Sequence, residues 1–416
     1  MSDKKLMWIS DGIQVFSGYG IQSAGILNGI KDIFSTTYEF SFQYFGQPIT
    51  LNGITLVPNN PQDQWANQGT MKDRVNILKP DYIVTLMDLF RPCEWLKDQK
   101  NHLKQTGAKT IAYFPLDGQP LPWGSVYPTK VWEQFDYLVP MSYYGREVLL
   151  RELPELKDKV TEPIWHGLDT NTFKPILPKD NGFIQHSQDI FKGKKFVAIS
   201  VFRNINRKNP QALIYAWYKF AKDKDDVLLL LHTNPKEPVF SGGTNIANLV
   251  HRLFGPNTNK VLFTGAPEFS FSQPPFFVNE IYNIGDIFVL PTSGEGFGIP
   301  IIEAMATGLP VVVTDYTTSR ELLCDKEPEE LIDTDLKFAD RGCLLPFQFF
   351  PTNCLELTQR AQVNYNAMVT AFDWYYKTKK DVLKETYKKN REFVVQNFDW
   401  QVIIPKWREF FKKIGA

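Results

Sequence analysis

Short apolar runs alternate with segments of helical periodicity along the first half of the chain. Four runs predict buried strands, and three segments with apolar residues at helical spacing predict helices between them. The predicted strands are residues 6–10, 82–86, 110–114 and 137–141, and the predicted helices are residues 21–34, 71–78 and 144–150. This alternation predicts a parallel sheet covered by helices on both faces.

A second series of the same kind begins near Lys195. It predicts strands at residues 196–201, 227–231, 261–263, 287–290 and 311–313, with a helix over residues 210–221. The fold class expected from the two series is therefore α/β, with two doubly wound halves. The segment from Phe398 onward carries apolar residues at helical spacing, which predicts a terminal amphipathic helix with one apolar stripe.

Composition narrows the classes of protein that fit. The 416 residues suit two or three domains, and 46 basic residues balance 46 acidic ones. Zero net charge gives no global attraction to nucleic acid or to an anionic membrane. The four cysteines lack metal-ligand spacing, so we expect a reducing compartment without structural disulfides. No apolar run has the length of a signal peptide core or a membrane span, and we expect a cytoplasmic protein without an integral membrane segment.

The chemistry is concentrated after the predicted strand at 287–290. Pro300 suits the first turn of a helix and Gly308 suits the position just past its end, so a glycine-rich turn leads into a short helix. Unpaired N–H groups and the helix dipole make such an N-terminus a site for phosphate. Glu295 in the turn and Glu303 in the helix, eight positions apart, can accept hydrogen bonds from sugar hydroxyls on either side of that phosphate.

With its flanking segments at 261–265, 281–291, 307–315 and 320–322, this stretch resembles the signature of retaining glycosyltransferases with the GT-B fold. The resemblance is closest to glycosyltransferase family 4, also called glycosyl transferases group 1. It implies two Rossmann-like doubly wound domains that face a cleft, with the C-terminal helix crossing back to the first domain. The implied acceptor domain is residues 1–165 with 398–416, and the implied nucleotide-sugar donor domain is residues 166–397.

The resemblance also assigns roles on the donor side. It implies that Arg203 and Lys208 hold the donor diphosphate, with Arg207 ranking below them as a spare charge. Fixed cations would stabilise the negative charge that grows on a leaving nucleoside diphosphate. Glu303 is expected to bind the ribose and Glu295 the hydroxyls of the donor sugar. The remaining donor-binding residues of the turn are expected to be Gly294, Gly296, Phe297 and Gly298.

Candidates outside this turn carry weaker signals. Gly18, Tyr19 and Gly20 form a glycine turn that, by the resemblance, faces the donor phosphates across the cleft. Asp117 stands near the place where many family members have histidine. It is a candidate general base for an acceptor hydroxyl, a residue that orients the donor sugar, or simply a turn aspartate. His232, at the end of a predicted strand on the cleft side, is expected to contact the nucleoside.

We expect no metal site and no cofactor, with the nucleotide-sugar acting as co-substrate. Two Asp-x-Asp strings, at residues 223–225 and 333–335, fall in polar segments and are expected to be solvated. Thr318 and Glu321 fit the spacing of a helix capping box.

The expected reaction is transfer of a hexosyl or pentosyl unit from a UDP-sugar, or else a GDP-sugar, to an acceptor hydroxyl. The resemblance implies retention at the anomeric carbon, by front-face substitution and without a metal. The acceptor stays open among a glycan, a small molecule, a lipid-linked sugar and a modified base in phage-type DNA. Zero net charge argues against the DNA base. A non-catalytic binding protein with the same fold is the second alternative.

Overall fold

The computed structural model describes residues 3–62, 68–88, 103, 105–122, 130–237, 242–264, 273–325, 337–350, 357–378 and 380–416. These residues divide into two compact units. The first unit contains the chain up to Gly167, residues 357–359 and Trp400–Ala416, and the second contains Leu168–Phe350 and Arg360–Asp399. The first boundary between the units therefore falls between Gly167 and Leu168. The boundary expected from the sequence lay between residues 165 and 166.

The first unit is built on a sheet of seven strands in the order β3-β4-β2-β1-β5-β6-β7. All neighbours run parallel except β3, which is antiparallel to β4 at the edge. The strands are β1 Lys5–Ser10, β2 Thr36–Ser41, β3 Ile49–Leu51, β4 Ile54–Pro58, β5 Tyr82–Leu86, β6 Lys109–Phe114 and β7 Tyr137–Pro140.

The second unit repeats the architecture with a seven-stranded sheet in the order β10-β9-β8-β11-β12-β14-β13, in which only β13 is antiparallel, and adds the hairpin β15–β16. Its strands are β8 Phe196–Val201, β9 Val227–His232, β10 Val261–Phe263, β11 Ile287–Leu290, β12 Val311–Thr314, β13 Lys337–Ala339, β14 Gly342–Leu345, β15 Phe347–Phe350 and β16 Arg360–Val363. The central strands β8, β9, β11 and β12 are buried along their whole length, as expected for parallel strands covered on both faces.

Helices cover the sheets of both units. In chain order they are α1 Gly18–Ile30, α2 Gln68–Leu78, α3 Val131–Gln134, α4 Tyr143–Glu152, α5 Gly182–His186, α6 Gln188–Phe191, α7 Pro210–Ala221, α8 Ile246–Phe254, α9 Pro275–Tyr282, α10 Ile299–Ala306, α11 Thr318–Leu323, α12 Tyr365–Lys377, α13 Lys380–Phe398 and α14 Trp400–Lys413. Single 3-10 turns lie at Lys31–Ile33, Pro154–Leu156, Pro178–Asp180 and Asn206–Lys208.

The C-terminal helix α14 belongs to the first unit, as the family resemblance implied. Trp407, fully buried, meets Trp8 of β1 edge to face with ring centroids 5.8 Å apart. Two glycines on α1 allow α14 to pack closely against that helix. A Cβ on Gly25 would lie 2.1 Å from the ring of Trp400, and one on Gly29 would lie 2.3 Å from Ile404.

The structure confirms the two doubly wound sheets and corrects several element boundaries. The predicted helix at 21–34 is the α-helix Gly18–Ile30 followed by a 3-10 turn. The sequence pattern did not predict β2, β3, β4, β13, β14 or the hairpin β15–β16. Among the described residues, no helix is both long and apolar enough to span a membrane.

Candidate functional site

The candidate site of the second unit lies where the strand order reverses. From β8 the chain moves outward to β9 and β10, then returns to β11 on the other side of β8. The loops that leave the carboxyl ends of β8 and β11 therefore diverge at this point, which is where open α/β sheets bind ligands.

Hydrogen bonds join these two loops. The backbone N–H of Ser293 donates to the carbonyl of Arg207 over 2.7 Å. Asn209 Nδ2 donates to the carbonyl of Pro291 and to Ser293 Oγ, each over 2.9 Å. Since Asn209 ends the 3-10 turn Asn206–Lys208, this network holds the backbone that carries Arg207 and Lys208 against the loop after β11.

Glu295 is the centre of the site's charged cluster. Lys208 Nζ lies 2.5 Å from Glu295 Oε1, and Arg207 Nη1 lies 3.6 Å from Glu295 Oε2. Arg207 also donates a hydrogen bond to the carbonyl of Gly294. Only 10% of the Lys208 side chain and 6% of the Glu295 side chain are exposed, so the pair is buried. Arg207, which the sequence analysis ranked as a spare charge, therefore lies near the same glutamate as Lys208.

The ionisation of Glu295 reflects two opposing effects. Burial alone would raise the pKa of its carboxyl, but the charges of Lys208 and Arg207 and a hydrogen bond from Lys208 outweigh burial and lower it. Glu295 is therefore a carboxylate at neutral pH, and two neighbouring cations are held beside it.

Arg203 lies on the same loop but in different surroundings. Its side chain is 57% exposed, and Nη2 lies 3.4 Å from Oε1 of Glu237, which is buried. Glu237 in turn accepts a hydrogen bond from Asn234 Nδ2 over 3.1 Å. Arg203 thus has an exposed guanidinium anchored by a buried carboxylate.

The glycine turn before α10 presents backbone donors. Gly298 adopts a φ of +95°, a left-handed conformation that favours glycine, and Pro300 lies in the first turn of the helix. Within the described part of the chain, the N–H groups of Gly296 and Gly298 donate to no protein acceptor. Phe297 is buried and packs edge to face on Phe398, with centroids 5.8 Å apart. Phe297 therefore anchors the turn through its ring.

Glu303 lies one turn into α10 and is buried. Tyr282, at the end of α9, donates a hydrogen bond from its hydroxyl to Glu303 Oε2 over 2.9 Å. Burial raises the pKa of Glu303 to about 7, against the smaller lowering effect of the tyrosine. The carboxyl therefore changes protonation near neutral pH, in contrast to Glu295.

His232 ends β9 and is buried. Its Nδ1 lies 2.7 Å from Thr264 Oγ1, and its ring centroid is 6.3 Å from that of Phe277. Burial lowers the pKa of His232 to about 4, so the imidazole is neutral.

The candidates of the first unit lie at the carboxyl edge of its own sheet. Gly18, Tyr19 and Gly20 form the first turn of α1, where Ser17 Oγ accepts a hydrogen bond from the N–H of Gly20. Gly20 has a packing role, because a Cβ there would lie 2.1 Å from the carbonyl of Val15. The Tyr19 hydroxyl donates to Asp88 Oδ1 over 3.3 Å. Asp117 follows β6 and is half-buried.

Of the two Asp-x-Asp strings, the structure describes only the one at residues 223–225. Asp223 and Asp225 have side chains that are 81% and 100% exposed, as expected for solvated residues. Residues 333–335 lie outside the described part of the chain. Among the residues that the structure describes, no group of three or more His, Cys, Asp or Glu side chains is arranged to hold a metal ion.

Sequence reasoning missed two residues that support the site. One is Tyr282, for which an aromatic at the end of a helix gave no specific signal. The other is Thr317, whose Oγ1 accepts a hydrogen bond from the N–H of Glu295 over 2.9 Å. The predicted capping box was wrong, since Thr317 and not Thr318 precedes the first turn of α11, and it makes no side-chain cap.

The segment that carries this site is similar to known proteins. The family model described as Glycosyl transferases group 1 matches residues 193–343. A probable sucrose-phosphate synthase of Thermosipho melanesiensis is 26% identical over 201 residues, covering 47% of this chain and 42% of that enzyme. An alpha-maltose-1-phosphate synthase of Mycolicibacterium smegmatis is 24% identical over 306 residues, covering 71% of this chain and 70% of that enzyme. The chain thus spans less than half the length of the first of these relatives.

Solved structures match nearly the whole chain. A glycosyltransferase from Rickettsia africae superposes with a TM-score of 0.70 at 18% identity, covering 100% of this chain and 99% of its own. The sucrose-phosphate synthase of Thermosynechococcus elongatus gives 0.72 at 15% identity, with 99% of each chain covered. Anabaena HepE in complex with UDP-glucose gives 0.66 at 14% identity, covering 98% and 99%. Residues 193–343 therefore match the model of the glycosyl transferases group 1 family, and the chain has the GT-B fold of these structural neighbours.

Proposed function

We propose that this protein is a retaining glycosyltransferase that transfers a sugar from a nucleoside diphosphate sugar to an acceptor hydroxyl. The observation that carries the proposal is the arrangement around Glu295. Two cations and a helix N-terminus converge there within one unit, together with the N–H groups of Gly296 and Gly298, which donate to no acceptor among the described residues. Such a combination suits a diphosphate, because the positive end of the helix and the cations favour negative charge.

The diphosphate contacts follow from the chemistry of the donors. We place the β-phosphate at the N–H groups of Gly296 and Gly298, beside Lys208. Arg207 and the exposed Arg203 supply further charge. When the glycosidic bond breaks, negative charge grows on the leaving diphosphate, and groups already held in place stabilise it without reorganisation. With this charge supplied by side chains, the transfer is proposed to proceed without a metal.

Glu303 is proposed to bind the ribose. Its carboxyl lies one turn beyond the phosphate donors, and Tyr282 occupies one of its oxygens, so the other is available to accept from the ribose hydroxyls. Glu295 is proposed to accept hydrogen bonds from the donor sugar, since each carboxylate oxygen can accept more than one. The neutral imidazole of His232 is a further candidate for contact with the nucleoside.

Uracil is the favoured donor base. The support comes from Anabaena HepE, a structural neighbour solved with UDP-glucose. Retention is proposed from the family resemblance, with the leaving phosphate taking the acceptor proton on the same face. Asp117 of the first unit is proposed as an acceptor-side residue.

The test is hydrolysis of a donor in the absence of an acceptor, where water takes the acceptor's place. The protein is incubated with UDP-glucose or GDP-mannose in EDTA, and the first sugar released is assigned as α or β by proton NMR. Both donors carry an α linkage, so the proposal expects the α anomer to appear first, followed by mutarotation. Initial release of the β anomer would contradict retention. No turnover, together with no binding of either nucleotide, would contradict the proposed activity.

A further inference from the structure

Thr317 has a backbone conformation that threonine rarely adopts. Its φ is +56° and its ψ is −139°, and the residue is only 3% exposed. A β-branched residue at positive φ is an outlier, because its Cβ crowds the backbone, and glycine would adopt the same conformation at lower cost. Such strain persists only where the surroundings hold it in place, and it concentrates at functional sites.

The hydroxyl of Thr317 shows what threonine provides there. It donates its hydrogen to the carbonyl of Tyr316 over 2.7 Å, and its oxygen accepts from the N–H of Glu295 over 2.9 Å. The first bond orients the hydroxyl so that its lone pair faces Glu295. Glycine would relieve the strain but would lose both bonds.

The neighbouring residues strengthen this arrangement. Thr318 Oγ1 lies 2.9 Å from the carbonyl oxygen of Glu295 and 3.0 Å from that of Gly296. The ring of Tyr316 packs on Phe347 and Phe349 of the hairpin, with centroids 5.1 and 5.3 Å away. The loop after β12 is thus fixed on one side by the aromatic cluster. On its other side it holds the peptide groups on both sides of Glu295.

We propose that Thr317 is a positioning residue for the donor site. Its hydroxyl accepts a hydrogen bond from the N–H of Glu295 and so sets the orientation of the glycine turn. In that orientation the N–H groups of Gly296 and Gly298 point together toward one anion. Thr317 also holds the Glu295 carboxylate against Lys208 and Arg207. This inference rests on the proposed function, since it concerns binding of the donor diphosphate.

The test compares Thr317→Gly and Thr317→Ser with the wild type and with Thr307→Ala. Thr307 likewise donates a hydroxyl hydrogen bond, partly buried, to the carbonyl of Ala304, and it has no hydrogen bond to Glu295. Calorimetry in EDTA gives the dissociation constants of UDP and UMP, and thermal unfolding gives the Tm. UMP lacks the β-phosphate that we place at Gly296 and Gly298.

Thr317→Gly is expected to weaken UDP binding about tenfold, as for the loss of one well-placed hydrogen bond, and UMP binding by less than about twofold. Its Tm is expected to be no lower than that of the wild type, because relief of the strain offsets the lost bond. Thr317→Ser and Thr307→Ala are expected to bind UDP within about twofold of the wild type.

Two results would overturn the role of Thr317. One is wild-type UDP affinity in Thr317→Gly. The other is an equal loss of UDP and UMP binding with a lowered Tm, which indicates a structural role only. Failure of the wild-type protein to bind UDP or GDP contradicts the proposed function itself, so the two failures are distinguishable.

Discussion

Lys208 and Glu295 form a buried ion pair that joins the loops after β8 and β11, with 2.5 Å between Nζ and Oε1. A lysine shielded from water in this way is held as a point charge beside the glycine turn. The pair also accounts for the low pKa of Glu295, because without the cations burial would favour the neutral acid. The same contact therefore bears on stability and on donor binding, and the two effects can be separated by mutation.

Replacement of Lys208 by methionine is expected to lower the free energy of unfolding by about 3 kcal/mol, because Glu295 would lose its closest buried partner. Arg207 remains 3.6 Å away and limits the loss. The double variant Lys208→Met, Glu295→Gln is expected to recover most of the stability, since neither charge is then left unpaired. Urea denaturation measures both variants.

Both of these variants are expected to lose nucleoside diphosphate binding. A double variant that is stable and also binds UDP as tightly as the wild type would show that the pair is structural and not part of the donor site.

Glu303 is expected to make stability depend on pH. Its folded-state pKa of about 7 lies above its ordinary value of 4.5. The folded protein therefore binds the proton more tightly than the unfolded chain, so this contribution is fully present below about pH 4.5 and is lost as pH rises through about 7. The total change is about 3 kcal/mol. The measurement is the difference in unfolding free energy between the wild type and Glu303→Gln from pH 4 to 8. A difference that is constant with pH would contradict the assignment.

Donor binding is expected to show the opposite trend with pH. The ionised form of Glu303 is the better acceptor for ribose hydroxyls, so UDP affinity should rise as pH increases through about 7. Glu303→Gln is expected to bind more weakly at pH 8 and to lose this dependence. Calorimetric titrations at several pH values test both points. Identical pH profiles for wild type and variant would assign the dependence to another group.

Gly25→Ala is expected to destabilise the first unit by about 1–3 kcal/mol through overpacking against Trp400, although alanine favours a helix by itself. Asn28→Ala, at an exposed position of the same helix, serves as the control and should change stability by less than about 0.5 kcal/mol. Thermal and urea unfolding of the two variants give the comparison. A stabilised Gly25→Ala variant would contradict the tight contact between α1 and α14.

The parts of the fold that were predictable are those with a strong local signal. Strands β5, β8, β10 and β11 were predicted with their observed limits, because each is a short apolar run between turn residues. Strand β2, Thr36–Ser41, was missed because it carries polar residues, and its burial depends on tertiary packing that a local pattern does not contain. The hairpin β15–β16 was missed because its two strands have only four residues each, which is too short for alternation of apolar and polar residues to give a clear signal.

The residues of the candidate site were likewise predictable only where they carry a local sequence signal. Glu295, Glu303 and Lys208 were predicted from spacing and resemblance, and the structure places Lys208 against Glu295. The approach of Arg207 to Glu295 depends on how the 3-10 turn Asn206–Lys208 orients consecutive side chains, which the sequence pattern does not specify. The positive φ of Thr317 likewise has no signature in the sequence, since threonine is not the residue such a position favours.

The most direct test of the central claim, a metal-independent donor site in the second unit, is calorimetric titration of UDP and GDP in EDTA into the wild type and Glu303→Ala. The account predicts that one of the two nucleotides binds the wild type at one equivalent, and that the substitution weakens this binding at least about tenfold, as for a lost hydrogen bond to a charged group. Binding of neither nucleotide to the folded wild-type protein, or equal binding to both proteins, would contradict it.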